Sequence, residues 1–481
     1  MRDSTGLRTK DATSENAALS PQSLRAFLAR VTVAGDLRTI AEPVDLQFEI
    51  AACLAEADGG PALRFDAVRG QRMPIVGNVL TSLPRIASGL RTTPAQLQTA
   101  IVSAIEHPLE HRITATAPCQ EHVVKAPLLD GELPIPRFFE YERGSYITAG
   151  AIVAKDRLTG RANLSIARVM PLGGNRAFVG IAPNHHLAVL ARMAHARGET
   201  LDIAVTVGNH PAVLIAACLY LSLGEDELNV AGALFGEPAE VVRCLNSDLL
   251  VPAHCECVLE GTLDAGEFVD EGPVSEFHGM YEDYGKGIVA TFSHLTRRRD
   301  ALFQVILPGY HREHCLIGGV AIAAGLKHTI RAGVPSVHEV AVGLGGAGRL
   351  HAVIALREPR VGEARKAMFA AWAAVNLIKQ VIVIDGDVDP WDPVAVEWAL
   401  ATHTQPHRDY VIVPDVRADR SEPLEKDGTI TKLGIDATRR LGDRPDWRRA
   451  RPTEAALARA RDLLRTHSIS PQSNEPNPRP Y

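Results

Sequence analysis

Between residues 118 and 310 the chain returns six times to a short apolar run with polar residues at alternate positions: YITAGAIVAKD, RANLSIARVM, DIAVTVGN, HCECVLEGTL, IVATFSHLTRR and ALFQVILPG. A period of two sends successive side chains to opposite faces, so such a run buries one face as a strand and cannot do so as a helix. Glycine and charged turns separate the runs, which predicts a β-sheet or barrel with a few helices inserted. One of those helices is NHHLAVLARMAHARG, apolar at helical spacing and stopped by Gly198.

The flanks follow other periods. Residues 1–18 are polar and aperiodic, as expected of a disordered tail. SPQSLRAFLARV then offers Ser20 as a helix N-cap, with Pro21 at the first helical position. EIAACLAEAD and TPAQLQTAIVSAIEH predict two more helices with the strand MPIVGNVL between them, so residues 19–117 read as a small N-terminal α+β domain. Residues 118–310 form the strand-rich central domain, and 311–450 alternate helix and strand as a C-terminal α/β domain. There GEARKAMFAAWAAVNLIK is amphipathic, and its Met368, Phe369, Trp372 and Val375 face is expected against its own sheet. A last helix, EAALARARDLLRTH, and a tail occupy 451–481. The expected fold class is α/β in the broad sense, an α+β multidomain protein.

Several function classes are disfavoured at this level. A net charge of -6 argues against nucleic-acid binding through bulk electrostatics. Seven cysteines with no CxxC pair indicate neither a disulfide framework nor a zinc site. No apolar signal core opens the chain, and PAVLIAACLYLSL is too short to span a bilayer, so a cytoplasmic protein without membrane contact is expected. GLGGAG (343–348) matches GxGxxG by letter, yet the strand-like RLHAVIAL follows it where a dinucleotide site needs a helix. A glycine-rich loop or hairpin is expected there.

VDEGPVSEFHGMYEDYGKG, residues 269–287, is the stretch with chemistry in it. Glu271 and Glu276 stand five residues apart among turn-forming glycines, with Phe277, Tyr281 and Tyr284 threaded between. Paired glutamates in a loop are usually solvated, but solvation leaves the aromatics unexplained. In NLSIARVM, Asn163 and Arg168 sit in a strand otherwise built for burial, and a buried arginine needs a carboxylate partner. APNHHLAV places His185 and His186 at a helix mouth, and GEDELNVAGAL offers Glu225, Asp226 and Glu227. Read singly, Arg168 is a structural ion pair, His185 a helix cap and Glu227 one charge of an acidic turn. Together, Asn, His and Glu suit Mn2+ or Mg2+, with room left for phosphate oxygens.

In order and spacing NLSIARVM, PNHH, NVAGAL, VVRCLNSDLLVPAHCECVLEG, EGPVSEFHGMY and KLGIDAT resemble the UbiD family of reversible decarboxylases, from about residue 20 to about 450. The resemblance implies a central split β-barrel that binds prenylated FMN and a C-terminal domain that makes a homodimer or higher homo-oligomer. It implies that Asn163, His185 and Glu227 hold Mn2+, or Mg2+, against the flavin phosphate. It further implies that Asn163, Leu164, Ser165, Ile166, Ala167 and Arg168 line the cofactor, with Asn184 beside the flavin, Lys432 on its phosphate and K+ near that phosphate. By the same resemblance Arg168, Glu271 and Glu276 are expected to form the catalytic network, with Glu276 the proton donor. This chain departs from many members by carrying Val274 and Ser275 where they have Phe-Gly, and Asn184 where ferulic acid decarboxylases have glutamine.

The implied reaction is release of carbon dioxide from an α,β-unsaturated or (hetero)aromatic acid, with an unsaturated polyketide-type acid of a natural-product pathway as the runner-up. A flavin prenyltransferase must supply the cofactor. The rivals are a Mn-dependent hydrolase built on Asn163, His185 and Glu227, an ordinary FMN oxidoreductase, and a non-catalytic flavin-binding subunit.

Overall fold

The computed structural model describes residues 19–440, 442, 450 and 452–467. The two expected tails, 1–18 and the segment after 467, lie outside the described residues. The chain divides into two compact units, 1–325 and 326–481. No helix among the described residues is long and apolar enough to cross a membrane.

The first unit opens with a helix at Leu24–Val33 whose N-cap is Ser23, not Ser20. Ser20 instead opens a turn, its carbonyl accepting from Ser23 N at 3.0 Å and Ser23 Oγ at 2.7 Å. Ser23 Oγ is thereby aimed at the helix, where it accepts from Ala26 N at 3.1 Å. Helices at Glu49–Glu56 and Pro94–Glu106 form as their spacing predicts. The nearby four-stranded sheet runs Leu37–Ile40, Ala62–Phe65, Ile75–Gly77 and Phe303–Gln304. Its last member is a correction: ALFQVILPG yields only a two-residue strand, and that strand extends this sheet rather than the central one.

The central sheet comprises β1 (His122–Lys125), β2 (Ala151–Lys155), β3 (Ala162–Ile166), β4 (Arg168–Gly173), β5 (Arg176–Gly180), β6 (Leu201–Val207), β7 (Cys257–Asp270) and β10 (Lys286–Arg297). Between the last two lies a small hairpin of β8 (Val274–Ser275) and β9 (Tyr281–Glu282). The strand path is β3-β2-β6-β7-β10-β5-β4, with β1 also on β10, every pairing antiparallel. Its two end strands, β3 and β4, are consecutive in sequence with Ala167 alone between them. A sheet whose ends are one residue apart has to curl round on itself, so NLSIARVM forms the seam of a nearly closed structure. Ile152, Val169, Phe178, Ile203, Val205, Leu259 and Phe292 are buried in the core cluster around it, each contributing roughly 1.5–3 kcal/mol by leaving water.

Among the helices that rest on this sheet, α1 (His186–His195) and α2 (Glu227–Phe235) both pack on β3. Gly198 ends the first, as expected, in the left-handed region at φ 76°.

The second unit holds β11 (Val337–Ala341), β12 (His351–Leu356), β13 (Gln380–Asp385), β14 (Tyr410–Arg417) and β15 (Thr429–Ala437) in the order β11-β12-β13-β15-β14. The inner pairs are parallel and the two edge strands antiparallel. GLGGAG is a short turn around Leu344–Gly346 joining an antiparallel pair, so it is not a dinucleotide loop. The helix Glu363–Ala374 buries Met368 and Trp372, with Val375 buried just after it. Phe369 departs from the expectation and is 51% exposed, lying about 100° round the helix from the buried Met368 and packing edge-on against Trp372.

Candidate active site

The loop 269–287 is a hairpin on a hairpin. β7 and β10 are long antiparallel partners, and β8 pairs β9 at their tip, Val274 opposite Glu282 and Ser275 opposite Tyr281. Glu271 is fixed at the root, its N–H donating to Gly285 O at 3.0 Å. Glu276 follows β8, its N–H donating to Met280 O at 3.0 Å. The tight return that brings Met280 back uses Gly279 at φ 85°. A side chain there would also crowd Tyr310, whose Cβ lies 3.0 Å from where a Cβ would stand.

The two glutamates converge on Arg168, the first residue of β4 at the seam. Arg168 Nε and Nη2 clamp the Glu271 carboxylate, the latter at 2.7 Å, and Nη1 stands 3.4 Å from Glu276 Oε1. The Glu271 side chain is 1% exposed, that of Glu276 12% and that of Arg168 20%. Burial works against the guanidinium charge, but Glu271 and Glu276 more than offset it and hold its pKa above the ordinary range. Cross-strand from Arg168 is Gly180, where a Cβ would come within 2.8 Å of Arg168 Cγ and Nε, so the bare backbone lets the guanidinium lie flat across β5. Tyr284 supports it from the loop, its ring centroid 5.4 Å from Arg168 Cζ. Of the other two loop aromatics, Phe277 is buried, while Tyr281 is 40% exposed and packs edge-on against Tyr141.

Beside the seam, Asn163 and Glu227 also meet. Asn163 Nδ2 donates to Glu227 Oε1 at 3.1 Å and Leu164 N to Glu227 Oε2 at 2.8 Å. Ser165 shares the Asn163 face of β3 and donates to its Oδ1 at 3.3 Å. Leu164 and Ala167 are buried and Ile166 half-buried. Burial pushes the Glu227 pKa up to about 7, against the pull of these hydrogen bonds. Neither hydrogen-bond donor carries a charge, so the carboxylate lacks the counter-charge that a cation would supply. His185 is the N-cap of α1, its Nδ1 accepting from Leu187 N at 3.4 Å, and Asn184 precedes it on the surface. Asp226 caps α2 through Leu228 N, and Glu225 closes a turn through Ser222 N. Among the described residues no group of three or more His, Cys, Asp or Glu could hold a metal. The expected set contains an asparagine in place of a third such ligand. Lys432 belongs to the second unit, where its ammonium donates to Asn376 O at 3.0 Å and burial pushes its pKa down to about 8.

Two residues around the network escaped the sequence reading. Tyr146 is 1% exposed, and burial first, then the Glu271 charge, push its phenol above its usual range. Glu142, also 1% exposed, accepts from Ser275. Both lie in FFEYERGSYITAG, which leads directly into a buried strand and carries no local pattern that singles them out.

At the seam of this curled antiparallel sheet an arginine is held between two loop glutamates, groups able in principle to hold and move a proton. Carboxy-lyase family models cover most of the chain. They are the 3-octaprenyl-4-hydroxybenzoate carboxy-lyase N-terminal domain (28–105), Rift-related domain (111–311) and C-terminal domain (315–437). The chain belongs to the UbiD family of carboxy-lyases. It is 34% identical over 427 residues to anhydromevalonate phosphate decarboxylase of Methanosarcina mazei, covering 89% of this chain and 98% of that protein. Among solved structures, the UbiD-class enzyme HmfF from Pelotomaculum thermopropionicum, in complex with FMN, superposes with a TM-score of 0.86. Its identity is 36%, over 91% of this chain and 98% of that one. The apo 3,4-dihydroxybenzoic acid decarboxylase of Klebsiella pneumoniae gives a TM-score of 0.83 at 25% identity, over 90% of this chain and 97% of that one.

Proposed function

We propose that this decarboxylase uses prenylated FMN to release carbon dioxide from an α,β-unsaturated or (hetero)aromatic acid, with Glu276 as the proton donor. The observation that carries the reading is the two-sided grip of Arg168, which clamps Glu271 and presents its remaining nitrogen to Glu276. Support for the cofactor comes from HmfF, solved with FMN and, in an evolved dimeric form, with prFMN.

Losing carbon dioxide leaves an electron pair on carbon, and prenylated FMN supplies the electron sink for it. Arg168 fixes Glu271 at the loop root and keeps cationic charge beside the substrate carboxylate. Glu276, partly open to solvent, delivers the proton that takes the place of carbon dioxide. Proton transfer from a positioned side chain is worth roughly 10²–10⁴-fold. Asn163, His185 and Glu227 fit a divalent cation in donor chemistry, because Glu227 is a buried carboxylate with only neutral donors on it. Mn2+ held by them, with K+ nearby, would supply positive charge to neutralise the flavin phosphate. A homodimer, a cytoplasmic setting and a prenyltransferase partner complete the proposal.

The test is expression together with a flavin prenyltransferase, followed by the absorption spectrum, cofactor mass and metal content. Carbon dioxide release from cinnamic-type and furoic-type acids is then measured on the same sample. Prenylated FMN with near-stoichiometric Mn and turnover of at least one acid class is expected. Metal-bound protein with no flavin, despite the prenyltransferase, would refute the reading.

A further inference from the structure

The hairpin that carries Glu276 pairs only two residues on each side, Val274–Ser275 with Tyr281–Glu282. Two-residue strands do not hold a shape by themselves. Proton transfer nevertheless tolerates little displacement, since about 1 Å of misplacement can cost about a hundredfold in rate. The hairpin therefore needs an external brace, and residues 137–146 supply one.

Glu142 is the centre of that brace. Its Oε1 accepts from Ser275 Oγ at 2.7 Å and from Ser275 N at 3.4 Å, and its Oε2 accepts from Phe139 N at 3.2 Å. Its own carbonyl is held by Arg137 Nη2 at 2.7 Å. One buried carboxylate thus ties its loop to the residue immediately before Glu276, gripping both backbone and side chain there. Its neighbours grip the same structure elsewhere. Arg143 donates to the Asp270 carbonyl at the hairpin root, and Tyr141 packs edge-to-face on Tyr281 of the return strand at 5.4 Å. Burial pushes the Glu142 pKa above the ordinary carboxylate range. An apolar residue would fill a structural loop at lower cost, so an acid here points to what its oxygens hold. Glu276 itself has little to fix it: Phe277 N on Oε2 at 3.2 Å, and Arg168 at 3.4 Å.

We propose that Glu142 is a positioning residue for the proton-donating Glu276, acting through Ser275. The inference rests on the reaction proposed above and deepens it. The side-chain half of the brace depends on Ser275, whose Oγ is the donor at 2.7 Å.

The experiment uses flavin-loaded wild type, Glu142→Ala, Glu142→Gln, Ser275→Ala and the double variant Glu142→Ala/Ser275→Ala. In Glu142→Ala and Ser275→Ala, kcat is expected to fall about ten- to a hundredfold, with KM and flavin per chain unchanged. Glu142→Gln keeps an acceptor for Ser275 and recovers most of the rate. The double variant is no slower than the slower single, because the two residues act as one unit. A wild-type kcat in Ser275→Ala, losses that multiply in the double variant, or flavin and KM changing in step with kcat would each overturn the positioning role. Should Glu142→Ala not fold, Ser275→Ala decides alone. If wild type holds prenylated flavin but releases no carbon dioxide from any acid offered, the proposed reaction fails first, and that outcome is separate from all the others.

Discussion

Arg168→Met tests the network at its hinge. The variant keeps an unbranched apolar stem, shorter than arginine and uncharged, and leaves the Glu271 carboxylate, 1% exposed, without its partner. Stranding one member of a buried ion pair costs about 3–5 kcal/mol. In a unit of this size that lowers the thermal midpoint by about 5–10 °C. Glu271→Gln is the milder change, because Arg168 is one-fifth exposed and retains Glu276 at 3.4 Å, so a loss of about 1–3 kcal/mol is expected. The double variant Arg168→Met/Glu271→Gln strands neither charge and should be about 2 kcal/mol more stable than Arg168→Met alone. Thermal unfolding of flavin-loaded samples reads the stabilities, and carbon dioxide release shows turnover lost in all three. If the two single variants cost the same and their effects simply add in the double, the pair does not act as a buried unit and the reasoning is wrong.

Glu276→Gln should lower kcat by about 10²–10⁴-fold while flavin content and thermal midpoint stay at wild-type values. Loss of flavin together with rate would give Glu276 a binding role instead. Glu227→Ala should reduce bound Mn, measured by elemental analysis, and with it the flavin retained through gel filtration; unchanged metal content would remove Glu227 from the ligand set. Glu313 is 1% exposed, accepts from Leu80 N at 2.7 Å, and burial pushes its pKa up from 4.5 to about 7. The folded chain therefore keeps a proton that the unfolded chain releases across that window. Its contribution to stability is full below about pH 4.5 and is lost as pH rises to about 7. Glu313→Gln should flatten that part of the denaturant-midpoint profile, and a profile identical to wild type would exclude Glu313 as its source.

The loop 269–287 shows how far local reading reaches. Its acids, glycines and aromatics mark it out as more than a solvated turn, and Arg168 is legible as a buried cation in need of a partner. Neither Glu142 nor Tyr146 is legible in the same way, because an acid or a tyrosine before a strand is ordinary until its neighbours are known. The aromatic surround expected for Glu276 holds only in part. Phe277 is buried beside it, while Tyr284 supports Arg168 and Tyr281 faces outward against Tyr141. A period of two gives the face of a residue but not what stands opposite it. The helix start moved from Ser20 to Ser23 because two serines three residues apart offer the same cap chemistry, and the turn between them chooses.

By itself the sequence located β2, β3, β6, β7 and β10 of the central sheet, the helix α1, the loop status of GLGGAG and the residue types able to carry acid–base and metal chemistry, while β1, β5, α2 and the break at Ala167 were not legible in it. What was legible depends on interactions within a few residues, where backbone geometry sets the spacing. Only the tertiary structure decided that β3 and β4 close a seam, that Phe303–Gln304 joins another sheet, and that Glu142 holds Ser275. The decisive contacts span 63 residues for Leu164 and Glu227, 103 for Arg168 and Glu271, and 133 for Glu142 and Ser275. Over such separations a partner is selected by how the whole sheet curls and packs, and no local period records that choice.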